Sequence, residues 1–80
     1  MDDFIWIDHN TWKVANHGLT EAEVEFAWRG GTVIYRGNHP VNGPYSETVG
    51  MCPNGRPIRM TWRYDVDWDG ETKVFVITAY

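Results

Sequence analysis

"DVDWDGE", residues 65–71, admits two readings, and the choice between them decides the fold. Asp65, Asp67 and Asp69 fall at alternate positions, and Gly70 follows where an EF-hand calcium loop makes its sharp turn. That reading demands a helix on each side of a metal ion. The other demands a strand on each side, with Asp69-Gly70 as a tight hairpin turn. Counted from Asp65, the twelfth position must hold the ion through both oxygens of a carboxylate, but it is Val76; the ninth is Lys73, a cation. Upstream, "IRMTWRYD" (58–65) alternates: Ile58, Met60, Trp62 and Tyr64 point one way, Arg59, Thr61, Arg63 and Asp65 the other. Downstream, "TKVFVITAY" (72–80) is apolar at both parities, as in a strand flanked on both sides within a sheet. The stretch reads as the turn of a hairpin, with Arg63 or Lys73 softening its acids.

The same logic extends toward the N-terminus. "CPNGRP" (52–57) carries Asn54-Gly55, a strong hairpin signal, after a strand over "YSETVGM" (45–51). "TVIYR" (32–36) is a further strand, separated by the turn-rich loop "GNHPVNGP" (37–44). Before these lie two short helices. Thr20 and Glu23 form a T-x-x-E capping box, with Leu19 and Val24 as its hydrophobic staple, and the helix runs through "EAEVEFAW" to Gly30-Gly31. The preceding helix covers "HNTWKVAN", capped by Asp8 or Asn10, with Trp12 and Ala15 on one face, and ends at Gly18 in the left-handed conformation. "FIWID" (4–8) opens the chain as a strand rich in β-formers. The order is β-α-α-β-β-β-β, an α+β fold in which two short helices pack on one face of a small antiparallel sheet. Trp12, Val24, Ala27 and Trp28 are expected to cover that face, leaving Arg59, Thr61 and Arg63 on the other.

Composition sets bounds on function. Eighty residues make a single domain (1–80) with one small core, enlarged by twelve aromatics, five of them Trp. No apolar run reaches membrane-spanning length, and "MDDF" has neither the basic nor the apolar region of a leader, so no membrane partner is expected. Cys52 is alone, which fits a reducing, cytoplasmic setting and a structural thiol near a turn. A net charge of −4 runs against a protein given over to binding phosphate backbone, though a basic patch fits within an acidic total.

No Ser-His-Asp motif, Walker loop or dinucleotide fingerprint appears. His9 and His17 lie about 12 Å apart along one helix, too far to share an ion, so no metal site is expected. His17 at a helix C-terminus is either a simple cap or an acid–base group whose charged form the helix dipole favours. Arg59 and Arg63 lie about 13 Å apart on one face of a strand, the reach of two phosphates. The plain alternative is a solvated face on which they balance Glu47 and Asp65. Trp62 and Tyr64 have the wrong parity to stack bases there.

"FIWIDHNTWKVANHGLTEAEVEFAW" (4–28) resembles the start of the BrnT-like toxins, a branch of the RelE superfamily, through Trp6, Asp8, Asn16, His17, Gly18, Glu21, Glu23 and Val24. "ETVGMCPNGRPIRMTW" (47–62) and "VFVITAY" (74–80) resemble that family's later strands. The resemblance implies a RelE-like fold, a type II toxin that cleaves RNA and inhibits translation without metal or other cofactor, and an antitoxin of the ribbon-helix-helix type. In such a reaction the RNA's own 2′-hydroxyl is the nucleophile, and the protein moves protons and steadies charge. By that resemblance Arg59 and Arg63 meet the phosphate charge, His17 serves as acid or base, and Lys13, Arg56 and Tyr80 contact the RNA. The chain departs from the pattern in having Asn16 where members carry a basic residue and Tyr80 where they carry Arg; its sequence ends there, where members continue into a basic helix. A second function class fits the acidic hairpin: a non-catalytic module, a degenerate toxin or phage-type inhibitor, that offers carboxylates and an exposed Trp68 to a basic protein.

Overall fold

The computed structural model describes residues 3–80; Met1 and Asp2, the head of the stretch read above as lacking leader character, lie outside the described residues. Its elements are β1 (Phe4–Ile5), α1 (Asp8–Asn16), α2 (Glu21–Arg29), β2 (Thr32–His39), β3 (Gly43–Met51), β4 (Pro57–Val66) and β5 (Thr72–Ala79). They form one sheet in the order β1-β5-β4-β3-β2, with both helices on one face. The expected element order holds. The expected purely antiparallel sheet does not: β2 to β5 form an antiparallel meander, but β1 lies parallel to β5, Phe4 opposite Val74 and Ile5 opposite Phe75. A strand of two residues has no alternation to read, and its direction is fixed by its pairing with the β5 edge. By pairing with β5, β1 covers what would otherwise be an open sheet edge.

Helix α2 is built as its capping box predicts. Thr20 Oγ1 accepts the Glu23 N–H at 3.1 Å, and Glu23 Oε1 accepts the Thr20 N–H at 2.9 Å. Gly18 takes φ +73° between the helices, the left-handed region that glycine enters without penalty. Helix α1 corrects two expectations. Its cap residue is Ile7, and Asn10 acts from inside the first turn: its Oδ1 accepts the Ile7 N–H at 2.8 Å while its Nδ2 donates to the Ile5 carbonyl at 2.9 Å. Asn10 is fully buried with these bonds made, and it ties α1 to β1. Its neighbour one turn on, Val14, faces inward with it, so Trp12 is turned out and stands 63% exposed.

The core joins Val14, Leu19, Val24 and Ala27 of the helical layer to Ile58, Met60, Trp62, Val74, Val76 and Ala79 of the sheet. Two glycines bring α2 close. A Cβ on Gly50 would stand 2.1 Å from the Ala27 carbonyl oxygen, and one on Gly31 would stand 2.6 Å from both Thr48 Cγ2 and the Val49 carbonyl oxygen. The glycines after α2 therefore do more than turn the chain; Gly31 makes room for the helix on β3. That closeness leaves space only for Ser46, Thr48 and Gly50 on the inner face of β3, and the Trp62 indole N–H donates to Thr48 Oγ1 at 2.8 Å.

The stretch 65–71 is a hairpin turn. Asp67 N–H donates to the Glu71 carbonyl at 2.8 Å, Gly70 N–H to the Asp67 carbonyl at 2.9 Å, and Gly70 has φ +84°. Lys73 Nζ lies 2.6 Å from Asp67 Oδ2 and 3.3 Å from Asp69 Oδ2, so the cation between these acids is the protein's own. The turn at Asn54-Gly55 also forms, closed by the Cys52 N–H on the Arg56 carbonyl at 2.8 Å. Strands β2 and β3 run further than read, taking in Gly37–His39 and Gly43–Pro44, and the loop between them shrinks to residues 40–42. Pairing of β3 with β4 stops at Ser46 opposite Trp62, while β2–β3 continues to His39–Gly43 and β4–β5 to Val66–Thr72. The two hairpins therefore part at that end.

Candidate functional site

The sheet face away from the helices is the candidate site. Cross-strand register places Tyr45 and Glu47 of β3, Arg59, Thr61 and Arg63 of β4, and Phe75 of β5 on it. A groove of about 400 Å³ runs along this face between Tyr80 and His39, floored by Thr61 and Ile77 and walled by Tyr45, Glu47 and Arg63.

At one end of the face, residues distant in sequence meet. Tyr80 continues β5 beside the start of β4: Arg59 N–H donates to the Tyr80 carbonyl at 2.8 Å, and Tyr80 N–H donates back to the Arg59 carbonyl at 3.0 Å. The Tyr80 ring lies 5.9 Å, centroid to centroid, from the ring of His17 at the end of α1. Arg56 Nη1 reaches over the same junction, 3.6 Å from where a Cβ on Gly18 would stand. Four of the six residues singled out in the sequence, His17, Arg56, Arg59 and Tyr80, thus gather at one corner. Arg63 sits further along the groove. Lys13 lies one helical turn before His17 on α1 and takes no part in the groove lining.

Electrostatics temper the basic character of the face. Arg59 Nε lies 2.6 Å from Glu47 Oε1, and Arg63 Nη2 lies 3.3 Å from Asp65 Oδ2, the two pairings expected of a balanced face. Glu47 is well shielded, its side chain only 17% exposed. Arg63 also lies over the Phe75 ring at 4.7 Å, a cation–π contact. Among the described residues Lys13, Arg36 and Arg56 make no ion pair. Burial, then the hydrogen bond to Tyr35 and the charges of Tyr35 and Glu47, raise the Tyr45 phenol above its ordinary value, keeping it a proton donor at neutral pH.

Sequence reasoning missed Tyr45 and Phe75 as members of the face, and named Glu47 there only as a charge to balance the arginines. A signal existed in the alternation Tyr45, Glu47, Val49 against Ser46, Thr48, Gly50, but the inner set is small and polar and does not announce a buried parity. Trp62 lies on the helix side, as its parity requires, while Tyr64 is 54% exposed because β4 runs beyond the helices' cover there.

Among the described residues no group of three or more His, Cys, Asp or Glu side chains is placed to hold a metal ion. Cys52 is buried, and burial, with Glu23 adding and Arg56 opposing, raises its thiol above the ordinary value, which leaves it a poor nucleophile. No described helix is long and apolar enough to cross a membrane. No protein-family model, curated protein or solved structure matches the chain.

Proposed function

We propose that this chain is a BrnT-like member of the RelE superfamily, the toxin of a type II toxin-antitoxin pair, which acts in the cytoplasm by cleaving RNA on its open sheet face. The observation that carries the reading is the corner where α1, the β3–β4 turn, β4 and β5 bring together His17, Arg56, Arg59 and Tyr80, of which Tyr80 lines the groove that leads to Arg63. Cleavage there needs a proton taken from the 2′-hydroxyl, negative charge steadied on the five-coordinate phosphorus, and a proton given to the departing 5′-oxygen. The arginines supply the charge, with Glu47 orienting Arg59. His17 transfers the proton, and Tyr80 beside it gives a base an aromatic surface to rest on. The products are a 2′,3′-cyclic phosphate and a 5′-hydroxyl, a balance that calls for no other reactant. The proposed partner is an antitoxin of the ribbon-helix-helix type that covers this face.

The test is growth of a bacterial culture after induction of the chain alone, beside Arg59→Ala/Arg63→Ala at matched expression. Arrest by the parent, relieved in the double variant, supports the reading; normal growth with abundant soluble protein removes it.

A second reading has its own observation. Trp68 stands 94% exposed at the tip of the acidic hairpin, and Arg59 and Arg63 already hold carboxylates. A non-catalytic module that offers this hairpin to a basic protein would look the same there. Lys73 weakens that reading, because it occupies Asp67 and Asp69 at 2.6 and 3.3 Å and leaves fewer carboxylates to present.

A further inference from the structure

The parting of the two hairpins leaves a cleft that passes from the open face toward the helix side. Beyond Ser46 and Trp62 the facing strands have no ladder partners across the gap. A cavity of about 210 Å³ lies in it, lined by Gly37, Tyr45, Arg36, Arg63, Trp62 and Tyr64. Tyr45 and Arg63 also wall the open-face groove. Arg36, Trp62 and Tyr64 also line a second cavity of about 330 Å³ under the end of α2, together with Trp28, Arg29, Gly31, Val33 and Thr48. Neighbouring spaces share lining residues, Tyr45 and Arg63 between groove and cleft, Arg36, Trp62 and Tyr64 between cleft and the cavity under α2.

The cleft and the cavity under α2 both set aromatic rings beside guanidinium groups. Trp28 and Tyr64 each stand edge-on to Trp62, at 5.2 Å and 83° and at 5.1 Å and 86°. Arg36 holds only a long contact of 3.4 Å to Ser46 Oγ and makes no ion pair among the described residues. Arg63 holds Asp65 at 3.3 Å, a looser pair than Arg59 with Glu47 at 2.6 Å. The Trp28 indole N–H is the one buried side-chain polar atom without a hydrogen-bond partner among the described residues, whereas the Trp62 indole is satisfied by Thr48. An orphan buried donor is costly and asks for an acceptor. Gly37 lets the Tyr35 and Tyr45 rings lie against the strand at the cleft's edge: a Cβ there would stand 2.7 Å from both Tyr35 Cε2 and Tyr45 Cζ.

We propose that this cleft holds one nucleotide of a single-stranded RNA, its base against Trp28 and Tyr64, which Trp62 backs from the core, and its phosphate on Arg36 and Arg63. Stacking on aromatic faces tolerates any base, and a guanidinium pair takes a phosphate bidentately. An acceptor on the edge of the base supplies the partner that the Trp28 N–H lacks. Because Arg63 belongs to both cleft and groove, a strand lying on the open face delivers a neighbouring nucleotide into the cleft. This inference rests on the RNA reading above and adds where the strand goes and what grips it.

The test is amide and indole NMR of the ¹⁵N-labelled chain, titrated with a 2′-O-methyl hexaribonucleotide, which lacks the nucleophile and is not cut. Saturable shifts of the Trp28 indole and the Gly37 amide are expected, with affinity reduced at least tenfold in Arg36→Gln and in Tyr64→Leu. Both variants alter exposed side chains, so the fold survives them. Shifts confined to Arg59, His17 and Tyr80 would overturn the cleft and leave the RNA reading standing. Shifts at the cleft in a chain that cuts no RNA in cells would keep the cleft and remove the nuclease. No shifts at all would overturn both. An acidic peptide that moves the cleft signals where the oligonucleotide does not would assign the site to a protein partner instead.

Discussion

Gly50→Ala changes one hydrogen for a methyl group, yet the structure makes it a severe change. The added Cβ would stand 2.1 Å from the Ala27 carbonyl oxygen and 2.9 Å from its carbon, where ordinary contact begins at 3.4 Å. Helix α2 must retreat by the difference between 3.4 and 2.1 Å, about 1.3 Å, or β3 must bow away. Either movement opens the layer at Val24 and Ala27, both fully buried. Overpacking of this kind costs about 1–3 kcal/mol, and backbone against backbone gives little, so the upper end applies. For a domain of this size about 3 kcal/mol lowers Tm by roughly 12–24 °C. Two control glycines calibrate the effect. At Gly43 a Cβ meets nothing within 4 Å but φ is +80°, so Gly43→Ala costs about 1–2 kcal/mol through conformation alone. At Gly30 φ is −95° and the nearest atom is 3.9 Å away, so Gly30→Ala is neutral or stabilising by up to about 1 kcal/mol. Thermal melts by circular dichroism should rank them Gly30→Ala, then Gly43→Ala, then Gly50→Ala last. A Gly50→Ala Tm within about 3 °C of the parent would refute the close approach of α2 to β3.

Gly18→Val should destabilise by at least about 1–2 kcal/mol, since φ +73° is barely open to a β-branched residue; an unchanged denaturant midpoint would show the helix junction to be wrong. The hydrogen bond from Lys73, then the Trp68 N–H, depresses Asp67 below the ordinary aspartate value of 3.8, despite some opposing desolvation. A depressed carboxylate contributes stability above its unfolded pKa and loses it as pH falls through the folded one, so the hairpin should weaken below about pH 4. Lys73→Met should lower stability at pH 7 and flatten that acid limb. An acid limb of unchanged slope in the variant, followed by urea melts from pH 2 to 7, would remove Lys73 as the neutralising group. Lys73 itself is raised by Asp67, so its contribution is present below pH 10.5 and lost only as pH rises above that value.

Helix α2 was legible because its rules are local: Thr20, Glu23, Leu19 and Val24 state a cap, and Gly18 states an end. The hairpin at 65–71 was legible because Val76 and Lys73 break the calcium pattern while β4 alternates. Elements set by distant partners were not. Direction in β1 comes from the β5 edge, which two residues cannot announce. Trp12 has the chemistry of a core residue but sits on the outer side of α1, and the inward place goes to Asn10, whose burial rests on two hydrogen bonds, one with the cap residue Ile7 and one to Ile5 of β1. On β3, close packing at Gly31 and Gly50 makes the buried side small and polar, hiding Tyr45 and Glu47 on the other side from any hydrophobic pattern.

The candidate site divides in the same way. Arg59 and Arg63 sharing a face followed from parity alone, and their partners Glu47 and Asp65 from charge balance. The meeting of His17 with Tyr80 across 63 positions of sequence, 80 less 17, is a property of the closed fold. So is the cleft, which exists because β3 joins β4 only from Ser46 onward.

RNA cleavage by the sheet face is tested by mapping RNA ends in cells soon after the chain is induced, beside Arg59→Ala and Arg63→Ala singly. The account predicts new fragments bearing 5′-hydroxyl and 2′,3′-cyclic phosphate ends, reduced more than tenfold in each variant, which corresponds to about 1.4 kcal/mol or more of transition-state stabilisation. RNA that stays intact while the parent protein accumulates folded, or ends that appear equally in the parent and both variants, would contradict it.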